Sequence, residues 1–368
     1  MYVECQRCLM NSEITQYFEV DEKGLCNYCR QYDREIEMLG EDNFRREYIY
    51  RKIEEIKKSS KNKPYDCIMG LSGGRDSSYL TWWLKKQGLR VLLVHLDNGW
   101  NSELAVHNIN KLCRYTGFEL YTHVIDWEEF RELQKAYIKA HVIDIEALTD
   151  HAIYAIILKL SAKHNIQYII SGMNITTESI MPKDWVHNKK DAVNILDIIK
   201  KNSRIKIRSY PYISFFKNLF YHFYYKIETV MPLNYINYNI MEADRVLKQE
   251  IGWVPYSRKH GESFFTNFYQ NYILPVKFKV DKRYAHLSNL ICAGQMTKEE
   301  AKRKLLEPLY ESADLQADIE YFLKKMDMTI DEFNLYLKQP PVPHTYYKTD
   351  KVYWDRYFSI INFYKKLF

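Results

Sequence analysis

The chain has 368 residues, 46% of them hydrophobic, so it can bury more than one sizeable core, and a disordered or fibrous protein is excluded. Its 53 basic and 47 acidic side chains leave a net charge of +6, which suits anionic small substrates and falls short of the dense basic stripe of a nucleic-acid binder. No apolar run is long enough to span a bilayer and no leader segment is evident, so the expectation is a cytoplasmic protein with no membrane span and no nucleic-acid partner.

At the start of the chain, Cys5-Gln6-Arg7-Cys8 and Cys26-Asn27-Tyr28-Cys29 form two CxxC knuckles separated by 17 residues, with the turn Asp21-Glu22-Lys23-Gly24 between them. Two knuckles folded onto each other bring four thiolates to one tetrahedral ion. Cys5, Cys8, Cys26 and Cys29 therefore read as a structural zinc (Zn2+) ribbon; two disulfides, or an iron–sulfur or redox role, are the alternatives. No fifth group is evident near the knuckles, which marks the site as closed and non-catalytic. Cys67 and Cys113 read as small buried residues.

A charged segment of helical period covers 30–58 and ends at the polar linker Ser59–Pro64. Tyr65–Gly70 reads as a buried strand, Arg90–Leu96 as a second, Phe118–Ile125 as a third and Tyr168–Gly172 as a fourth. Helices are predicted from Tyr79, from a Ser102 cap to Thr116, over Trp127–Ala140, and from a Thr149-Asp150 cap to about His164. This alternation predicts an α/β fold with a doubly wound parallel sheet. The expected organisation is a zinc-binding ribbon plus helix at 1–60, an ATP-binding domain at 61–205, and a mostly helical substrate or partner region at 206–368.

The turn between the first strand and its helix, Leu71-Ser72-Gly73-Gly74-Arg75-Asp76-Ser77-Ser78, carries the most chemistry. Two glycines allow positive φ, so successive backbone N–H groups can face one anion, and the helix N-terminus adds partial positive charge. Ser72, Ser77 and Ser78 offer hydroxyl donors, and Asp76 offers a carboxylate for a magnesium ion (Mg2+). No Lys follows the last glycine, so this is not a Walker A loop. Asp97 and Gly172, after the second and fourth strands, fall at the same carboxyl edge, where ligands of such sheets sit; ATP suits that crevice.

Beyond Asn174 the pattern changes to a polar stretch, Thr176–His187, that contains Trp185. The aromatic blocks Tyr210–Phe216 and Leu219–Tyr225 read as packing or a partner surface rather than an interfacial membrane helix, which would need a Lys/Arg-rich polar face. Lys259, His260 and Glu262, then Lys282 and Arg283, gather charge in predicted loops. They suit an anionic substrate and proton transfer, or equally a solvated surface of ordinary salt bridges. From Met241 the chain reads mostly as helices, with a capping box at Thr297 and Glu300.

Ser72–Ser78 resembles the SGGxDS pyrophosphate loop of the N-type ATP pyrophosphatases, which split ATP into AMP and pyrophosphate to activate a carbonyl oxygen. The double CxxC start, Ser72–Leu84, His95–Ile109, Ser171–Glu178, Ile251–Pro275 and Asp281–Ala301 together resemble the N-acetyl sugar amidotransferases. These are pyrophosphate-loop proteins of O-antigen and flagellar sugar pathways, and the resemblance covers roughly residues 1–310. Arg75 stands where a Lys is common in that family, keeping the charge but changing its geometry. Residues 200–240 carry none of the resemblance.

The resemblance implies ATP-dependent conversion of an acetamido group on a nucleotide-linked sugar to an acetamidino group. Ser72, Gly73, Gly74, Ser77 and Ser78 would hold pyrophosphate and Asp76 magnesium, with Asp97 and Gly172 on the adenosine side. Asp76, Lys259, His260 and Glu262 would act in catalysis, and Trp185, Lys282 and Arg283 would bind the sugar nucleotide. Ammonia is expected from a separate glutaminase subunit through a barrel-type channelling subunit, since the chain shows no glutaminase signature. Two other readings stand beside this one. A tRNA-modifying pyrophosphate-loop enzyme, a thiolase or a lysidine-type synthetase, is opposed by the lack of a CxxC pair near the loop and of a basic stripe. A nucleotide-binding assembly scaffold is the non-enzymatic alternative.

Overall fold

Five short strands form one parallel sheet in the order β3-β2-β1-β4-β5. They are β1 (Cys67–Gly70), β2 (Val91–Asp97), β3 (Glu119–Val124), β4 (Tyr168–Ile170) and β5 (Glu228–Val230). The computed structural model describes residues 2–258, 260–310 and 312–367, without the side chains of 312, 313, 358 and 362–367. Strand residues alternate between two cores, as the period of two requires. Met69, Leu93 and Ile170 face one core, while Ile68, Leu92, Val94 and Ile169 face the other. Both faces are covered, which is why the central strands read as continuous apolar runs.

Before the sheet come α1 (Asn27–Leu39) and α2 (Asp42–Ser59). Within it lie α3 (Arg75–Lys86), α4 (Glu103–Thr116), α5 (Trp127–Lys139), α6 (Ala147–Lys163), the single turn α7 (Ile175–Glu178), α8 (Ala192–Asn202) and α9 (Phe215–Tyr224). Ile53 of α2, Leu80 of α3 and Leu112 of α4 cover the first face; Phe130 of α5 and Ala155 and Leu158 of α6 cover the second. After β5 the chain is helical: α10 (Ile240–Val246), α11 (Phe264–Phe268), α12 (Arg283–Cys292), α13 (Lys298–Leu306), α14 (Ser312–Met326), α15 (Ile330–Lys338) and α16 (Lys351–Leu367). Two of these run on as π-helical turns, Leu247–Ile251 after α10 and Tyr269–Phe278 after α11. No described helix is long and apolar enough to cross a membrane.

The doubly wound parallel sheet, the N-terminal cysteine cluster and the helical C-terminal region are therefore as expected. Ser102 caps α4 by accepting from the N–H of Ala105, and Thr297 and Glu300 form the capping box of α13. Three details differ. The expected Thr149 cap does not exist, because α6 starts at Ala147 and the Thr149 hydroxyl instead accepts from Asn98 Nδ2 at 3.2 Å. The fifth strand, β5, is three residues long with two of them exposed, so it lacks an apolar run to announce it. Arg283, expected in a loop, is the first residue of α12, with Lys282 at its N-cap.

The topology fixes where a ligand can sit. The chain winds outward from β1 through β2 to β3, then returns to the other side of β1 as β4. The crevice at this switch point opens between the loops that follow β1 and β4.

His344 is buried between α8 and the loop before α6. Its Nδ1 donates to Asn194 Oδ1 at 2.8 Å and its Nε2 accepts from the Asp144 N–H at 3.3 Å, while the ring stacks on His187 at 4.3 Å. Burial is the main reason its pKa is pushed down to about 3. The native state keeps this imidazole neutral while the unfolded chain protonates it below the ordinary histidine value of 6.5. Its contribution to stability is therefore complete above that pH and is lost as pH falls toward the folded value. We expect His344→Gln to weaken the fold by about 1–3 kcal/mol at neutral pH and to flatten the loss of stability between pH 6.5 and 4.5 relative to the parent, read by denaturant unfolding across that range. An unchanged slope would contradict the neutral assignment.

Candidate functional site

The loop after β1 is shaped by its glycines and clamped from outside. Gly73 has φ +84°, a conformation that side chains with a Cβ rarely adopt. Its carbonyl accepts from Trp253 Nε1 at 3.1 Å and from the Tyr256 hydroxyl at 3.0 Å. Gly74 stands at the N-cap of α3 with no side chain capping the helix, so the first N–H groups of α3 are left facing the crevice. The Ser72 and Ser77 hydroxyls are 3.2 Å apart, and Ser72 Oγ accepts from the Gly74 N–H. Ser78 is different: it is fully buried beneath the loop, and its hydroxyl has no hydrogen-bond partner among the described residues.

Asp76 is held by the loop after β4 and by the segment after β5. Its Oδ2 accepts from Asn174 Nδ2 at 3.1 Å and Thr177 Oγ1 at 3.0 Å, and its Oδ1 accepts from the Tyr238 hydroxyl. An ionised carboxylate has about four acceptor sites, so Oδ1 keeps capacity for a cation, and the residue is only partly buried. Gly172 backs onto the first turn of α3, where a Cβ would lie 3.6 Å from the Ser77 nitrogen. Asp97 ends β2, and its Oδ1 accepts from the Gly99 N–H at 3.0 Å.

Arg75 turns away from the loop. Its Nε and Nη2 donate to the two carboxylate oxygens of Asp244 on α10 at 2.5 and 2.9 Å. The pair is about one-third exposed, and it fastens α10 to α3. Arg75→Lys is therefore expected to cost about 1 kcal/mol of stability through the lost two-pronged contact and to leave the KM for ATP within about threefold. A tenfold rise in that KM would place the side chain in the phosphate cradle after all.

The later charged segment reaches the loop by backbone pairing. Asn101 bridges Ser263, the Ser102 N–H donates to the Glu262 carbonyl, and the Phe264 N–H donates to the Trp100 carbonyl. Glu262 thereby sits over Gly74, with Oε1 3.0 Å from where a Gly74 Cβ would be, and His260 Nδ1 lies 3.7 Å from Oε1. The His286 ring on α12 is 5.8 Å from that of His260. Ser72, Gly73, Gly74, Asp76, Ser77, Gly172, His260 and Glu262 thus meet around one crevice.

Other expected site residues lie elsewhere. Lys259 lies outside the described residues. Trp185 is 1% exposed and donates its indole N–H to the Ile14 carbonyl, so it is core packing and not a substrate contact. Arg283 is pinned by Asp281, by the Glu307 carbonyl at 2.7 Å and by the Lys304 carbonyl at 3.3 Å, so it ties α12 to the end of α13. Lys282 is mostly buried, with Nζ 3.8 Å from Glu146 Oε2 just ahead of α6.

The four paired cysteines converge. Their sulfurs all lie within 4.8 Å of one another and each residue is 0% exposed. The Cys5–Cys29 and Cys8–Cys26 sulfur separations are 3.8 and 3.6 Å, close to the edge of a tetrahedron with metal–sulfur bonds of about 2.3 Å. N–H groups of Cys8, Cys26 and Cys29 point at cluster sulfurs, which favours thiolates. The cluster can hold a metal ion. It is not without a fifth neighbour, however: Cys292 Sγ, at the end of α12, lies 3.6 Å from Cys29 Sγ.

Two family models match the chain. Residues 66–239 match the queuosine biosynthesis protein QueC, and residues 262–361 match the C-terminal domain of the LPS biosynthesis protein WbpG-like family. A curated tRNA(Ile)-lysidine synthase from Chlamydia pneumoniae is 35% identical over 71 residues, which is 18% of this chain and 22% of that protein. Among solved structures, the U34-tRNA thiolase NcsA from Methanococcus maripaludis with its 4Fe-4S cluster is 13% identical, covering 84% of this chain and 90% of that one at a TM-score of 0.34. The NH3-dependent NAD synthetase from Campylobacter jejuni is 19% identical, covering 35% of this chain and 57% of that one at a TM-score of 0.27. The chain thus spans about a fifth of the curated relative's length and little more than half of the synthetase.

Proposed function

We propose that the chain is a pyrophosphate-loop ATPase of the N-acetyl sugar amidotransferase type, and that it converts an acetamido group of a nucleotide-linked sugar to an acetamidino group in surface-glycan biosynthesis. The amide oxygen attacks the α-phosphorus of ATP, pyrophosphate leaves, and an O-adenylated imidate forms. Ammonia adds to the imidate carbon, the C–O bond breaks, AMP departs, and a proton is lost to leave the amidine. Adenylation is needed because an amide oxygen is otherwise a poor leaving group.

The observation that carries this reading is the meeting of two matched segments at one crevice: the loop Ser72–Ser77 from the first, and His260 and Glu262 at the border of the second. In it, the uncapped N–H groups of α3 with Ser72 and Ser77 hold the departing pyrophosphate. Asp76 would hold magnesium, which neutralises phosphate charge when bound. Glu262, beside His260, receives a proton from the incoming ammonia. Asp97 and Gly172 border the adenosine, and zinc in the four-cysteine cluster has a structural part only. Ammonia comes from a partner glutaminase through a barrel-type subunit, in the cytoplasm.

The test is pyrophosphate release from ATP with ammonium chloride across a panel of UDP- and CMP-linked diacetamido sugars. Release with one sugar, giving a product lighter by about one mass unit, supports the reading. Release with bulk tRNA and with no sugar would favour the tRNA-modifying alternative, which the local likeness to a lysidine synthase keeps in view.

A further inference from the structure

The side chains expected to bind the sugar nucleotide are committed elsewhere, yet the molecule contains a cavity of about 510 Å³ that nothing above uses. Its size lies within the ~300–1,000 Å³ usual for small-molecule sites. It is bounded by α1 and α2 on one side, by the segment after β5 on another, and by the start of α7 and the end of α12. It adjoins the crevice: Tyr238, whose hydroxyl bonds Asp76, forms part of its wall, and so does Thr176, next to the Asp76 partner Thr177.

The wall offers donors that the protein leaves without hydrogen-bond or ion-pair partners among the described residues. These are the Arg46 guanidinium, the Tyr32 hydroxyl, the Asn237 amide and the Thr176 hydroxyl. Its charges balance overall, since Arg7, Arg45 and Arg46 face Asp33, Glu37 and Asp42. The balance is local, however. Arg7 is bonded to Asp33 at 2.7 Å and Arg45 to Asp42, while Glu37 stands exposed on the wall. A ligand phosphate would therefore be gripped by Arg46 rather than drawn in by a general positive field. Tyr235, already against the Tyr48 ring at 4.6 Å, offers an aromatic edge for a planar base.

We propose that this cavity binds the nucleoside diphosphate handle of the sugar substrate, with Arg46 on a phosphate and the sugar directed past Tyr238 toward the loop. The proposal rests on the amidotransferase reading and adds to it the place where the acceptor is held. ATP occupies the β1–β2 side of the switch point and the acceptor occupies the β4–β5 side, so the two substrates meet over Asp76.

Arg46 lies on the exposed face of α2, so Arg46→Glu should fold normally; Arg51→Glu on the same helix, outside the cavity, is its control. We expect Arg46→Glu to raise the KM for the turned-over sugar nucleotide at least about tenfold while the KM for ATP stays within about twofold, and Arg51→Glu to change neither. In the parent protein, UDP alone should slow hydrogen exchange of 233–238. Sugar turnover with an unchanged KM in Arg46→Glu and no protection by UDP would overturn the cavity assignment and leave the reaction standing. A parent protein that releases pyrophosphate with no nucleotide-linked sugar would overturn the reaction itself and the assignment with it.

Discussion

Gly73→Ala is expected to abolish ATP turnover, with kcat/KM falling at least about a hundredfold, and to weaken the fold by about 1–3 kcal/mol. Two independent effects produce this. The residue sits at φ +84°, and an added Cβ would lie 3.1 Å from the Ala105 carbonyl oxygen and 3.2 Å from Ile109 Cγ1. The first of these is backbone, so the loop has to move instead. Moving it breaks the clamp that Trp253 and Tyr256 place on the Gly73 carbonyl and misaligns the N–H groups at the start of α3. Trp253→Phe is the graded companion: it keeps most of the packing, loses one hydrogen bond, and should cost about 1 kcal/mol with a smaller loss of rate. Pyrophosphate release and denaturant unfolding on both variants check this. Near-normal turnover in Gly73→Ala would mean the loop does not hold the phosphates.

The second large effect concerns the cysteine cluster. The purified protein is expected to carry one zinc per chain. Removing it with a strong chelator, or by Cys26→Ser, should lower the thermal midpoint by roughly 5–10 °C, because four buried thiols lose the ion that organises them. The loss should spread, since the Leu9 N–H donates to Ser288 Oγ, Arg7 to the Cys292 carbonyl and Lys298 to the Cys5 carbonyl, joining the cluster to α12 and α13. Cys292→Ser separates four-sulfur from five-sulfur ligation. Full metal content in that variant, read by atomic emission against Cys26→Ser, is the expected result. Equal metal loss in both would make Cys292 a ligand.

Local signals in the sequence made much of this legible. The loop lies in eight consecutive residues, the knuckles each in four, and the central strands are buried on both faces and so unbroken in apolar character. What the sequence hides is long-range. Tyr238 reaches Asp76 across 162 positions and Cys292 reaches Cys29 across 263, with no local pattern to mark either pairing. Charge is equally ambiguous without partners. Arg283 and Glu262 look alike as candidates, yet one is consumed by Asp281 and carbonyls while the other is delivered to the loop by the pairing of 101 with 263. Trp185 sits in a polar stretch, but its neighbours in space are the core. The Trp253 and Tyr256 clamp did have a signal, the aromatic pair inside Gly252–Tyr256, but its target on Gly73 is visible only in the fold.

The central claim is that ATP activates an amide oxygen of a sugar, and the fate of that oxygen tests it most directly. The sugar nucleotide would be made with heavy oxygen in its acetamido carbonyl and incubated with ATP and ammonium ions, and the AMP examined by mass spectrometry. Heavy oxygen in AMP, in proportion to the amidine formed, is the predicted result, because the bond from that oxygen to phosphorus survives while its bond to carbon breaks. AMP carrying only ordinary oxygen while amidine accumulates would contradict the account.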